Sequence, residues 1–212
     1  MLWDVLTWVS EHPKVFWTAA RDHLVLSAAA LTLAIAIALP LSVLLLRWPG
    51  ASGFAISLVN VLRTIPSLAL LVVMLPILGT GFQPSLVALI LYGLPAVLIS
   101  AYTGMSEVDP DIIDAARGQG LSERQVTRRI AIPLALPVIF AGIRTAAVQI
   151  VSAATLATFI GGGGLGDLIT AGMGTLDMPQ LIVGGLAVAL LAVATELAFG
   201  LCERLLSRTR PA

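Results

Sequence analysis

Residues 24–46 read LVLSAAALTLAIAIALPLSVLLL, a stretch that contains no charged side chain. A run of about 18 or more apolar residues is long enough to cross the hydrocarbon core of a bilayer as a helix. Of the 212 residues in the chain, 58% are hydrophobic and 11% are charged, whereas an average soluble domain is about 25% charged. A soluble bundle would also need a polar face on each helix. The stretch therefore predicts an all-α polytopic membrane protein.

Four further apolar stretches have the length of a span. Together with the first, the predicted transmembrane helices are residues 24–46, 53–78, 84–104, 133–160 and 180–201. The second is interrupted by Arg63 and Pro66.

Neither end of the chain is predicted to cross the membrane. Residues 1–22 hold three tryptophans among scattered charges, a mixture that predicts a short amphipathic helix at the outer headgroup layer. The apolar run that follows comes too late and is too long for a secretory signal peptide. Residues 207–212 are predicted to form a short cytoplasmic tail.

The distribution of basic residues between loops predicts the orientation. Lys and Arg are enriched in cytoplasmic loops. With the N-terminus outside and the C-terminus inside, the cytoplasmic side holds Arg47, Arg117, Arg124, Arg128, Arg129, Arg204, Arg208 and Arg210. The outer side then holds only Lys14 and Arg21. The polar loop at residues 105–132 is therefore expected to lie in the cytoplasm.

The cytoplasmic loop has the local pattern of two short helices joined at a glycine. Asp109 is a good N-cap for the first helix, and Gly120 can end it in a left-handed conformation. Ser122 and Gln125 form a capping-box pattern that starts a second helix. A helix–Gly–helix elbow of this kind can dock into a groove on a partner protein. The residues alone are equally compatible with an ordinary solvated loop.

A longer pattern in the same loop resembles the EAA motif of the permeases of ABC importers. An acidic residue and two alanines are followed, at the family's spacing, by a glycine, an isoleucine, an aliphatic residue and a proline. The matching positions are Asp114, Ala115, Ala116, Gly120, Ile130, Ile132 and Pro133. Two positions depart conservatively from the pattern, since Asp114 stands where Glu is usual and Ile132 where Leu is usual.

The resemblance covers about residues 22–205 and is nearest to permeases for osmoprotectants such as glycine betaine, choline and carnitine. Permeases for methionine share the five-span plan, so methionine or another small amine or amino acid is the alternative substrate. The resemblance implies a type I importer permease domain at residues 23–206 and coupling to a cytoplasmic ATPase through the elbow. It also implies a second permease subunit, an external substrate-binding protein, and ATP with Mg²⁺ on the ATPase rather than on this chain.

The glycine run that follows the fourth span is the next candidate site. Gly161, Gly163 and Gly166 formally satisfy GxGxxG, but a dinucleotide site requires a preceding strand in a βαβ unit. No GxxxxGK[ST] motif is present either, so we expect no nucleotide on this chain. The run is interpreted either as a plain outer loop or as a flexible turn at the mouth of the pathway, with Gly162, Gly163 and Gly164 as gate candidates.

Charged and polar side chains inside the predicted spans are further candidates. Arg63, Arg144 and Glu196 are intramembrane charges, which are costly and by default mark a function or a specific partner. Arg63 lies about ten residues, or about 15 Å, into its span, too deep to reach the membrane surface easily. We expect it to form an interhelical bond, such as an arginine–Glu196 pair, that holds the bundle together rather than to contact substrate. In the fourth span a polar stripe either lines the pathway or bonds a neighbouring helix; its members are Thr145, Gln149, Ser152 and Thr155. On the first span Ala30, Ala34 and Ala38 form a small-residue face for helix packing.

Other classes of protein fit the sequence less well. A secondary transporter usually shows internal repeats, and an odd number of spans does not divide into two halves. A membrane-embedded enzyme should carry a catalytic or metal-binding cluster. The single cysteine, Cys202, and the two histidines, His12 and His23, lack the spacing of a metal site, and we expect them to bind no metal. Net charge is zero, which gives no indication of nucleic-acid binding.

Overall fold

The protein is a bundle of helices, seen here in a computed structural model that describes residues 2–208. In chain order the α-helices are α1 (Leu2–Glu11), α2 (Pro13–Arg47), α3 (Pro49–Thr64), α4 (Ser67–Leu78), α5 (Phe82–Ser106), α6 (Pro110–Gly118), α7 (Glu123–Val126), α8 (Ile132–Ala154), α9 (Leu165–Thr175) and α10 (Met178–Arg208). A π-helical turn at Thr127–Ala131 joins α7 to α8, and a 3₁₀ turn at Thr155–Ile160 follows α8. Residues 209–212 of the predicted tail, Arg210 among them, lie outside the described residues.

Helices α2, α5 and α8 form the centre of the bundle and contact one another along their lengths. The small-residue face predicted on the first span is confirmed, because Ala30, Ala34 and Ala38 are fully buried. On α5, a Cβ added at Gly93 would lie only 2.4 Å from the Cδ1 atom of Ile150 on α8. In a bilayer, where lipid is as apolar as the helices, small residues of this kind stabilise packing by letting backbones approach closely.

The predicted second span is not one straight helix. It is divided into α3 and α4, whose axes are bent by 97°. The proline ring of Pro66 disfavours helical torsion angles at the preceding residue, and Ile65 is accordingly extended, with a ψ of 124°. Among the described residues four single helices are long and apolar enough to cross a membrane, and the count is five when this bent pair is taken as one span.

The helix that contains the first predicted span is longer than that span. Helix α2 starts at Pro13 rather than near residue 24, because a proline is well tolerated in the first turn of a helix. Helix α1, predicted to lie at the outer headgroup layer, packs against the bundle. One of its faces packs on α9 and α10, where Trp8 is buried with Leu168 and Val183. Trp3 is exposed, as expected for an aromatic side chain at the headgroup layer.

The segment at residues 161–179, predicted as a loop, contains the helix α9. Its glycines made a helix improbable from the sequence, because each glycine inside a helix costs about 0.5–1 kcal/mol relative to alanine. The structure gives them a packing role: a Cβ at Gly172 would lie 2.6 Å from the backbone nitrogen of Leu181 on α10. Close contact between α9 and α10 therefore stabilises a helix that local preference disfavours.

Candidate functional site

The elbow between α5 and α8 is fixed by hydrogen bonds between near neighbours in the sequence. The Oδ1 atom of Asp109 accepts a hydrogen bond of 2.9 Å from the backbone N–H of Asp111, which caps α6. At the other end Gly120 has a φ of +83°. Its N–H donates to the carbonyl of Arg117 at 2.8 Å, and the N–H of Leu121 donates to the carbonyl of Ala116 at 3.2 Å. These two bonds form a Schellman motif, and the predicted cap and glycine stop are confirmed.

An ion-pair network holds the two halves of the elbow together. The guanidinium of Arg117 lies 2.9 Å from an oxygen of Glu123 and 3.1 Å from an oxygen of Asp114. The hydrogen bonds to Glu123 first, and to Asp114 next, raise the pKa of Arg117 above its ordinary value. The predicted capping box also forms, since Gln125 accepts a hydrogen bond of 2.8 Å from the backbone N–H of Ser122. The angle of the elbow is therefore set by its own side chains.

The EAA positions divide into an exposed and a packed group. Asp114, Ala115 and Gly120 are exposed, and they lie on the outer surface of the elbow. Ala116 is buried, so only one of the two alanines is free for a close approach by another protein. The half-buried Ile130, Ile132 and Pro133 join the elbow to α8.

The second helix of the elbow continues into the predicted fourth span, residues 133–160, without a break at Pro133. From Glu123 to Ile160 the chain is one long helical segment. Pro133 has no backbone N–H and its ring would clash with the carbonyl four residues earlier in a regular helix. The π-helical turn at Thr127–Ala131 directly before it accommodates this clash with a local bulge. The elbow and α8 are therefore joined by continuous helix.

The polar stripe on α8 lines a cleft of about 480 Å³. Three of the predicted residues, Thr145, Gln149 and Ser152, are on its wall. Tyr92 from α5 and Glu196 from α10 lie on the same cleft.

Thr155 is not part of this cleft. Six residues beyond Gln149 on a helix of 3.6 residues per turn, a side chain points about 120° away. The hydroxyl group of Thr155 is instead buried, and it has no hydrogen-bond partner among the described residues. Thr155 does not share this cleft with the other three residues, and its assignment to the pathway remains a prediction.

The glycine run at residues 161–164 is tightly packed at the other end of α8. A Cβ at Gly162 would lie 2.2 Å from the Oγ atom of Ser85, and one at Gly164 would lie 3.0 Å from a ring nitrogen of His23. Gly163 has a φ of +76°. The backbone N–H of Gly81 donates a hydrogen bond of 2.7 Å to the carbonyl of Ile160, next to the run. Close packing accounts for Gly162 and Gly164, and a positive φ accounts for Gly163, where flexibility was expected. A gating role remains a prediction.

His23 is a functional candidate that the sequence reasoning missed. Its side chain is fully buried, and its Nε2 atom lies 3.0 Å from the carbonyl oxygen of Val151 on α8. The N–H of Leu165 donates to its Nδ1 atom at 3.3 Å. Because Nδ1 accepts, the proton of the neutral imidazole is on Nε2, which donates to Val151. The imidazole thus joins α2, α8 and the start of α9.

The spacing of residues along α2 indicates that His23 lies on its buried face. Residues 23, 27, 30, 34 and 38 recur at spacings of three and four, and therefore share one face of α2. Since Ala30 and Ala34 were already assigned to packing, His23 should have been assigned to the buried face with them.

The chain matches a family model over most of its length. The model describes the binding-protein-dependent transport system inner membrane component and covers residues 31–208. The chain belongs to this family. It is a permease, a transport subunit rather than an enzyme, and permeases of this family work with an ATPase and a substrate-binding partner.

Individual proteins resemble this permease over nearly their whole length. The carnitine transport permease protein OpuCB of Listeria monocytogenes is 40% identical, with 94% of this chain and 91% of that protein covered. The choline transport system permease protein OpuBB of Bacillus subtilis is 40% identical, with 88% and 86% covered. Among solved structures, an inward-facing conformation of the MetNI methionine ABC transporter matches with a TM-score of 0.83 at 23% identity, covering 94% of this chain and 99% of that one. That structural match shows the fold.

Two of the three predicted intramembrane charges, Arg144 and Glu196, form a cluster with Glu203. The Nε atom of Arg144 donates to Glu196 at 3.0 Å, and its Nη1 atom lies 2.7 Å from Glu203. The pairing of an arginine with Glu196 is confirmed, but the arginine is Arg144 and not Arg63. Arg63 is exposed in the last turn of α3, directly before the bend, where the helix dipole favours a cation.

No group of three or more His, Cys, Asp or Glu side chains within residues 2–208 is arranged to hold a metal ion.

Proposed function

We propose that this permease forms half of the translocation path of an importer for small quaternary-ammonium osmoprotectants, such as glycine betaine, choline or carnitine. The observation that carries the proposal is the similarity, over about nine tenths of the chain, to permeases named for carnitine and choline transport. The chemistry of the cleft between α5, α8 and α10 supports it.

The cleft has the groups that a small cation or zwitterion needs. Glu196 supplies a carboxylate, and the cluster to which it belongs holds two carboxylates and one guanidinium. Tyr92 offers an aromatic face, to which a quaternary ammonium group is attracted. Gln149, Ser152 and Thr145 supply polar atoms for the other end of a solute or for its water. The cleft is open on one side, and we propose that a second permease subunit closes it.

The elbow couples this path to a separate ATPase. Its exposed face carries Asp114 and Ala115, and we propose that this face enters a groove of the ATPase, which holds ATP and Mg²⁺. The angle between α6 and the helix that follows is fixed by Arg117, so a push on α6 moves α8 and the cleft wall on it. This mechanism requires the elbow in the cytoplasm, with the N-terminus outside and the C-terminus inside the bacterial cytoplasmic membrane.

The experiment is uptake into proteoliposomes that contain the permease and its ATPase. Labelled glycine betaine, choline, carnitine and methionine are each offered outside with the binding protein, and ATP is enclosed in the lumen. Uptake of one of the first three that requires ATP supports the proposal. Uptake of methionine alone would contradict the substrate class, and uptake without ATP would contradict the coupled mechanism.

The cleft is tested in the same vesicles with a matched pair of glutamine variants. Gln149→Leu removes a polar group from the cleft wall, whereas Gln83→Leu alters an exposed glutamine at the start of α5. Loss of one hydrogen bond to the passing solute is worth about 1 kcal/mol, so we expect uptake by the first variant to fall about fivefold. Uptake by the Gln83 variant should stay within about twofold of the parent. An equal effect of the two variants would exclude this cleft as the path.

A further inference from the structure

A second cavity of about 560 Å³ lies where the end of α2 meets the helix that begins at Glu123. Arg47, Arg124 and Arg128 line it, together with the hydroxyl-bearing Thr127, and no acidic residue is among its lining residues. Within the part of the chain that the structure describes, these three guanidinium groups have no ion pair or hydrogen bond. Glu123 is a carboxylate near them, since the charge of Arg47 contributes, after the hydrogen bond from Arg117, to the lowered pKa of Glu123. The carboxylate oxygens of Glu123 are, however, already bonded to Arg117. The three guanidinium groups therefore leave the cavity cationic, which indicates a site for an anion.

The remaining wall of this cavity is aliphatic. It consists of Leu39, Pro40, Val43, Leu44 and Ile132. Leu39 precedes Arg47 by eight residues of helix, which corresponds to a depth of about 12 Å. The cavity is therefore cationic at the end of α2 and apolar where it reaches into the membrane.

An exposed apolar stripe continues from the cavity along α2. Leu33, Ile37, Pro40, Leu44 and Arg47 recur at spacings of three and four, which places them on one face of the helix. All five are exposed. This stripe lies apart from the buried face that includes Ala34 and Ala38, and it provides an apolar surface for a hydrocarbon chain directly below the arginines.

We propose that this cavity binds an anionic phospholipid, with the phosphate headgroup on Arg47, Arg124 and Arg128 and an acyl chain along the stripe. Basic pockets between transmembrane helices at the cytoplasmic surface are suited to acidic headgroups. Arginine also presents a planar set of donors that fits phosphate oxygens. A protein partner could neutralise the arginines, but it would leave the aliphatic half of the cavity and the stripe below it uncovered. No residue of α6, the exposed helix of the elbow, lines the cavity.

The experiment measures lipid binding to the assembled transporter by native mass spectrometry. Phosphatidylglycerol and phosphatidylcholine with identical acyl chains are titrated, and glycerol 3-phosphate serves as the free phosphate ester. We expect tighter binding of phosphatidylglycerol than of phosphatidylcholine, and a weakening of about fivefold for each of R47Q, R124Q and R128Q. R129Q is the matched control, because Arg129 is exposed in the same segment but does not line the cavity. Its affinity should stay within about twofold of the parent.

Replacement of the three arginines by lysine keeps the charge and should keep part of the preference, which separates loss of charge from loss of folding. Equal affinities for the two lipids, or an unchanged preference in the triple glutamine variant, would overturn the proposal. Glycerol 3-phosphate binding as tightly as the lipid would show that the site takes a free phosphate ester instead. Loss of the ATPase subunit from R124Q and R128Q, with lipid binding unchanged, would show that a protein partner uses these arginines.

Discussion

The elbow at residues 109–131 and the glycine turn at residues 161–166 follow opposite ends of the central helices, and they are held in different ways. In the elbow, Arg117 reaches Glu123, six residues away, and Asp109 caps its own helix. In the turn, Leu165 donates to His23, which is 142 residues distant. The elbow is an exposed structure maintained by local bonds, whereas the turn is a buried structure maintained by the rest of the bundle. Substitutions in the turn should therefore affect the whole fold, and substitutions in the elbow should mainly affect coupling.

The largest effect is expected at Gly166 in the turn. A Cβ there would lie 2.1 Å from the carbonyl oxygen of Thr155, a backbone atom that cannot rotate away. Overpacking of this kind costs about 3 kcal/mol, so Gly166→Ala should lower the unfolding temperature and the yield of intact transporter. The control is Gly174→Ala, because nothing lies within 4 Å of a Cβ at that position. Equal thermal stability of the Gly166 and Gly174 variants would show that close packing of the turn does not stabilise the fold. The contrast between a turn held by the bundle and an elbow held by local bonds would then be lost.

A smaller decrease in the unfolding temperature is expected from substitution of His23. In His23→Leu the carbonyl of Val151 and the N–H of Leu165 lose their partner inside the protein, which costs about 2 kcal/mol. His23→Gln, which can still donate and accept, should recover part of the loss. Thermal unfolding of the three proteins measures this order. If the glutamine variant is no more stable than the leucine variant, the imidazole acts by its shape and not by its hydrogen bonds.

In the elbow, Gly120→Ala tests coupling without disturbing the core. Nothing lies within 4 Å of a Cβ at Gly120, so the cost comes from its φ of +83° alone and is about 1 kcal/mol. We expect transport per ATP hydrolysed to fall about fivefold, while the unfolding temperature hardly changes. Gly118→Ala is the control, since Gly118 has the same open surroundings and no positive φ. A large loss of stability in Gly120→Ala would show that the elbow is also part of the core.

The smallest effect is expected from Arg117→Gln. The ion pairs of Arg117 are exposed to solvent, and such pairs contribute little to stability and are screened by salt. The variant should loosen the angle of the elbow, so that coupling is reduced at low ionic strength and the difference from the parent narrows at high ionic strength. ATPase-driven uptake at two salt concentrations measures this. A deficit that is the same at both concentrations would point to a steric rather than an electrostatic role.

The difference between features held by local contacts and features held by distant contacts also explains which parts of the structure the sequence predicted. The caps at Asp109 and Ser122 and the stop at Gly120 depend on residues a few positions apart, and all three are confirmed. The interruption at Pro66 is local too and was predicted, although its angle of 97° was not. The helix α9 depends on packing against α10 and was missed. Thr155 does not line the cleft because it lies six residues beyond Gln149, a separation that turns its side chain about 120° away on the same helix.

In the candidate site, prediction succeeded where the chemistry is periodic. Thr145, Gln149 and Ser152 fall on one cleft because they are spaced as one helix face. Tyr92 and Glu196 join them from other helices, a convergence that spacing along the chain cannot show. The pairing of Arg144 rather than Arg63 with Glu196 likewise depends on which helices become neighbours.

The long reach of the His23 contact has a consequence for biosynthesis. A ribosome that adds about 5–20 residues per second needs about 7 to 28 s to make the 142 residues that separate His23 from Leu165. During that interval the first span is already synthesised, while its imidazole still lacks the backbone groups that will satisfy it. The nascent permease must therefore keep this end of the helix hydrated, or held by an insertion factor, until its fourth span and the turn arrive.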